Sequence, residues 1–216
     1  MNKPKFITFT GADDHTSKRG MAELALEYPI EWGLLFSPQR QGSGRYPSMA
    51  CITDLLANYR LDFAAHLCGG HSRDLIATGR TEVDPLLKGR VNRVQVNTSQ
   101  TFNAMDLQRW GQGIRADVIV QCRGPFPRDL AVRWLFDASG GRGIEPAAWP
   151  PAKSVMHEMR GYAGGLNPAN VAAHVETIGR LAANYWIDME TGVRDENDRF
   201  DLAKCRAVCE AVYGRA

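Results

Sequence analysis

Apolar residues along the chain gather in short runs at fairly even intervals: FITFT (6–10), WGLLF (32–36), DFAAHLC (62–68), RVQVN (93–97), DVIVQC (117–122), RWLFD (133–137), MRGYAG (159–164) and YWIDM (185–189). Their length and their content of β-branched and aromatic residues predict strands. Between most of them the spacing changes to that of a helix. SKRGMAELALEY places Met21, Leu24 and Leu26 near one face; SMACITDLLANYR, NPANVAAHVETIGRLA and DLAKCRAVCEAVYG carry similar patterns. Strands alternating with helices imply right-handed crossovers and a parallel sheet. Eight such units in 216 residues predict a single-domain α/β chain folded as a (β/α)8 TIM barrel spanning residues 1–216. A doubly wound open sheet is the runner-up. Its glycine fingerprint follows the first strand, whereas the glycine-rich turns here follow strands two, six, seven and eight.

Composition narrows the function classes. A net charge of +2, from 26 basic and 24 acidic residues, gives no electrostatic reason to expect nucleic acid or an anionic membrane as partner. No apolar run is long enough to span a bilayer, and the N-terminus lacks a signal core. The five cysteines are odd in number, scattered and free of CxxC pairs, so they are expected to be reduced thiols of a cytoplasmic protein. Cys205 and Cys209, four apart, are expected to face the core. No cofactor and no metal are expected, and the chain is expected to be a monomer or homodimer.

In a barrel the chemistry gathers at the C-terminal ends of the strands, and the loops after strands seven and eight commonly bind phosphate. Gly164 and Gly165 follow strand seven here, with Asn167 placed as helix N-cap and Pro168 at the first helical position. Thr191 and Gly192 form a small turn after strand eight. Two such turns on neighbouring strands offer amide donors and a helix N-terminus to one dianion. A bare turn plus cap is the alternative for either one alone. The expected ligand is a small phosphorylated metabolite.

GYAGGLNPANV followed by YWIDMETGVRD resembles the C-terminal third of the phosphoribosylanthranilate isomerase family, in which AGGL-x-P-x-NV and D-x-S-S-G-V-E segments hold the substrate phosphate. LFDASGGRGIEPAAW is similar to the family's strand-six segment, WGLLFSPQRQGSGRYPS to its segment after strand two, and FITFTGADD occupies the place of its K-I-C-G opening. The resemblance implies an Amadori-type ring opening and proton transfer on a phosphorylated sugar, in tryptophan biosynthesis or in a diverged relative. It implies Asp137 as general acid and Arg45 as the grip on a carboxylate. It adds Gly141 and Gly143 to the phosphate-binding set.

The base departs from the family pattern. Thr10 stands where the family has its cysteine, Asn97 where it has a histidine, and the family's GGTGK reads GGRGI. A threonine hydroxyl needs a partner to deprotonate it. His66 and Cys68, two apart on one strand face, are candidate substitutes, with His71 in the loop beyond; Asp13, Asp14 and His15 form another set. His66, Cys68 and His71 are also zinc-ligand types, and Asp188 and Glu190 share a face of strand eight. The alternative to an enzyme is a non-catalytic phosphometabolite-binding barrel that has lost its base. A Schiff-base aldolase is weaker, because no lysine closes a strand: Lys88 and Lys153 lie in connecting segments. The stretch SPQRQGSGRYPS suggests a mobile loop over the mouth, with Gly42 and Gly44 as hinges.

Overall fold

Each of the eight apolar runs becomes a strand because every second side chain can be buried on either side of a closed sheet. The computed structural model describes residues 2–152 and 158–215. In chain order it contains β1 (Ile7–Thr10), α1 (Lys18–Glu27), β2 (Ile30–Phe36), α2 (Met49–Asn58), β3 (Asp62–Leu67), α3 (Gly70–Thr78), α4 (Asp84–Leu87) and β4 (Arg93–Val96). It continues with α5 (Ala104–Ile114), β5 (Asp117–Cys122), β6 (Arg133–Asp137), β7 (Arg160–Ala163), α6 (Val171–Leu181), β8 (Tyr185–Met189) and α7 (Leu202–Tyr213). All neighbouring strands are parallel and β1 pairs with β8, so the sheet closes into an eight-stranded barrel. The open-sheet alternative is excluded by that closure.

Strand alternation divides the buried residues. Ile7, Phe9, Trp32, Leu34, Val94, Val96, Tyr185 and Ile187 belong to the large core between sheet and helices. Thr8, Glu31, Arg93 and Trp186 face the barrel interior. There the Arg93 guanidinium binds the Glu31 carboxylate at 2.8 and 2.5 Å and the Thr8 hydroxyl at 3.1 Å. It lies over the rings of Trp186 and Phe6, 4.2 and 4.6 Å from their centroids. This polar plug fills the lower barrel, where branched apolar layers are usual.

Helix starts follow their caps. Ser17, Ser48, Asn103 and Asp201 accept hydrogen bonds from the first-turn amides of α1, α2, α5 and α7. Among the described residues no helix follows β5 or β6. Aromatic side chains fill that flank instead: Phe126 packs edge-on to Phe136 and Tyr162, and so does Trp149.

Two sequence expectations are corrected. In α1, Met21 and Leu24 are buried but Leu26 is 88% exposed. At 100° per residue it sits about 200° beyond Leu24, on the opposite face. Helix α6 starts at Val171 with Asn170 as its N-cap, and Asn167 caps the turn before it, its side chain accepting from the Ala169 amide at 2.9 Å. Cys205 and Cys209 are fully buried as expected. Lys153 lies outside the described residues, and Lys88 follows α4.

Candidate active site

A cavity of about 680 Å³ opens at the C-terminal ends of the strands. Of the expected site residues, His66, Cys68, Asp137, Arg45, Gly141, Gly143, Gly164, Gly165, Thr191 and Gly192 all line it; Thr10 stands directly beneath, bonded to a lining side chain.

One corner is made of backbone. A methyl group on Gly192 would overlap the Leu166 carbonyl oxygen, so the turns after β7 and β8 touch and only glycine permits it. Gly143, from the loop after β6, reaches the same place: a Cβ on it would lie 3.2 Å from that of Thr191. The N–H groups of Gly165 and Leu166 have no acceptor among the described residues. Those of Thr191 and Gly192, in the first turn of a short 3-10 helix at Thr191–Val193, precede its ladder. The carboxylates nearby are paired, and Arg45 Nη1 also reaches the Thr191 hydroxyl at 3.4 Å. Glu190 pairs with Arg45 at 2.7 Å, and Glu145 approaches His174 at 3.2 Å. The two asparagine side chains cap the turn before α6 and leave its own first-turn amides uncapped: Asn170 Oδ1 accepts from the Asn167 amide and Asn167 Oδ1 from the Ala169 amide.

Asp137 closes β6 and holds its own loop. Oδ1 accepts from the Ser139 amide and hydroxyl at 3.0 and 2.8 Å, and Oδ2 accepts from the Gly141 amide at 2.5 Å. Gly141 therefore shapes the loop through Asp137, its amide already engaged. One lone pair of Oδ2 is left for a ligand.

Asp188, inside β8 and noted in the sequence only for sharing a face with Glu190, stands closer to the centre. The register aligns Asp137 with Ala163 and Ala163 with Asp188, so the two carboxyls stand level on strands two apart, about 10 Å between backbones. Asp188 is 6% exposed, and burial pushes its pKa up to about 8 against the opposing pull of the Thr10 hydroxyl, which donates to Oδ1 at 3.1 Å. Gly33 makes room for this group, since a Cβ there would overlap Thr10 Oγ1 and press on His66 Nε2.

The substitute bases fit less well. His66 Nε2 lies 3.8 Å from Asp188 Oδ2 with no hydrogen-bond partner; burial and then the Arg93 charge take its pKa down to about 3. Burial raises the Cys68 thiol, which donates to the His66 carbonyl and accepts from Asn97 Nδ2 at 3.1 Å. His71 is buried against Thr81 at 3.2 Å and does not line the cavity. Asp13 pairs with Arg194, and Asp14 binds Ser48 at the start of α2. Among the described residues no three His, Cys, Asp or Glu side chains are grouped to hold a metal, and no helix is long and apolar enough to cross a membrane.

Arg45 is committed to two carboxylates, Glu190 at 2.7 Å and Asp198 at 2.5 Å. The loop that carries it is pinned as well: Gln41 bonds Ser37, Leu35 and Pro47. The suggested mobile lid is thus latched at both ends of its glycine pair.

No protein-family model and no curated protein sequence matches this chain. Solved structures do. TrpF from Jonesia denitrificans superposes with a TM-score of 0.66 over 97% of both chains, at 19% identity. The phosphoribosylanthranilate isomerase from Thermus thermophilus gives 0.64 over 95% of this chain and 96% of its own, at 17% identity. The chain shares the (β/α)8 fold of these phosphoribosylanthranilate isomerase structures. A further phosphoribosylanthranilate isomerase structure, holding reduced 1-(o-carboxyphenylamino)-1-deoxyribulose 5-phosphate, gives 0.63 over 96% and 98% of the two chains at 13% identity.

Asp188 was visible in the sequence as an acid between Ile187 and Met189 in an apolar strand. Nothing local marked it as the partner of Thr10, 178 residues away.

Proposed function

We propose that this barrel is an isomerase of the phosphoribosylanthranilate isomerase type, acting on a phosphorylated sugar by ring opening and proton transfer. The observation that carries the reading is the placing of an amide-lined corner beside two level carboxyls in one cavity. The amides of Gly165, Leu166, Thr191 and Gly192 would hold the phosphate, with no need of a side-chain cation. The sugar would then lie between Asp137 and Asp188. Asp137, in its acid form with the proton on the open side of Oδ2, gives that proton to the ring oxygen as the ring C–O bond breaks. Asp188 takes the carbon-bound proton, with Thr10 Oγ1 fixing its orientation. A group that titrates near pH 8 suits a base working close to neutrality.

The test is turnover of phosphoribosylanthranilate, followed by the loss of its fluorescence. Activity should rise with pH up to about 8, following ionisation of Asp188. Asp188→Asn and Asp137→Asn should each remove it while leaving phosphate binding intact. The binding-only reading is favoured by the three hydrogen bonds that already occupy Asp137. It would prevail if phosphosugars raised Tm and none of a panel turned over.

A further inference from the structure

The opposite end of the barrel, where the strands begin, holds a second cavity of about 990 Å³. Residues at or next to the start of each of the eight strands line it. Glu31 and Arg93 line this cavity and not the upper one, so their ion pair forms its inner wall. Its charge is lopsided. The three carboxylates in the lining are occupied: Glu31 by Arg93, Asp117 by Arg133 at 3.4 Å, and Asp62 by the Asn92 side-chain amide at 3.0 Å. Lys5, Arg60, Arg90 and Arg115 also line it. All four are exposed, and none has an ion-pair partner among the described residues. The whole chain carries only +2, so this is a local concentration of charge and not part of a generally basic surface.

Arg60, Arg90 and Arg115 stand on the segments that lead into β3, β4 and β5, neighbouring strands about 5 Å apart. Like charges gathered in this way repel one another, and the concave wall between them concentrates their field. Arg115 also takes φ 64°, the left-handed cap position that glycine fills most easily, so its side chain comes at a backbone cost. The floor is apolar. Phe6, Leu61 and Met159 are half-buried there, with Phe6 stacked on the buried Trp186 at 6.2 Å between ring centroids.

We propose that this mouth is a second ligand site, for a small organic polyphosphate whose ring-bearing body rests on Phe6, Leu61 and Met159 while its phosphate chain spans Arg60, Arg90 and Arg115. Guanidinium forks match phosphate oxygens two at a time, and three of them in a row call for more than one anionic group. The apolar floor calls for more than bare phosphate. The volume lies at the upper end of the range of small-molecule pockets, roughly 300–1,000 Å³. The site is separate from the phosphate corner proposed above and does not depend on it.

Calorimetric titration of the intact chain with ATP, tripolyphosphate and adenosine, in the absence of added metal, tests it. ATP should bind about tenfold or more tightly than tripolyphosphate, the gain expected of one base on an aromatic and apolar floor, and adenosine should give no measurable heat. Arg60→Gln, Arg90→Gln and Arg115→Gln should each weaken ATP by about threefold or more, with Tm showing that the variants fold. Phe6→Leu should bring ATP towards the affinity of tripolyphosphate. Gly192→Ala, at the far end of the barrel, should leave ATP binding unchanged. The inference is overturned if ATP does not bind, if tripolyphosphate binds as tightly as ATP, or if the arginine variants bind ATP like the wild type. If Gly192→Ala removes ATP binding and the arginine variants keep it, the nucleotide occupies the upper cavity; this inference then falls and the phosphate corner stands.

Discussion

Replacing Asp188 with asparagine exchanges an acid for a neutral amide of nearly the same shape, where the folded chain keeps the acid protonated up to about pH 8. In the unfolded chain the same carboxyl releases its proton near its ordinary 3.8. Between those two values the folded state binds one proton more than the unfolded state, so stability falls as pH rises through the window and levels off above it. The slope is at most about 1.4 kcal/mol per pH unit, or about 2.7 kcal/mol between pH 5 and 7. The asparagine variant loses this slope and keeps the hydrogen bond from Thr10. His66 acts in the opposite sense, since the unfolded chain protonates it below about 6.5 and the folded chain does not. That contribution is common to both proteins and drops out of their difference. Urea unfolding of wild type and Asp188→Asn across this range should therefore show the variant gaining on the wild type as pH rises. Two curves that stay parallel would refute the protonated carboxyl and, with it, the base assigned to the reaction.

Gly192→Ala forces the β7 and β8 turns apart, because the new methyl meets backbone rather than a movable side chain. Inorganic phosphate affinity should drop by about tenfold or more, with a stability loss of about 1–3 kcal/mol, measured by calorimetry and by thermal unfolding. Glu31→Gln leaves Arg93 charged and poorly paired in the lower barrel. It should cost about 3–5 kcal/mol, or about 10 °C in Tm. The double variant Glu31→Leu with Arg93→Met should recover much of that loss, as an unpaired buried charge is worse than none.

The strands were legible because each one is a short apolar run that must be buried on both sides, and all eight lie where the runs are. The helices were less so. α5 carries Gly111 and Gly113 within its length and was not singled out, yet Trp110, Leu107 and Ile114 bury one face of it and Asn103 caps it. Among the site residues, those that end strands could be found by position alone. Asp188 was legible only as an acid sharing a face with Glu190, because its bond to Thr10 depends on what stands opposite in the closed ring. Thr10 in particular reads as the loss of a base until its neighbour on β8 is seen. The start of α6 was misplaced for a local reason: Asn167 and Asn170 both cap, and the sequence does not say which turn is the helix.

The contact between Gly192 and Leu166 also bears on how the chain matures. β8 is the last strand to be synthesised, and it supplies half of the amide corner, the carboxyl level with Asp137, and the seam with β1. A nascent chain that has not yet released residues 185–193 can form neither the β1–β8 seam nor the contact between the turns after β7 and β8.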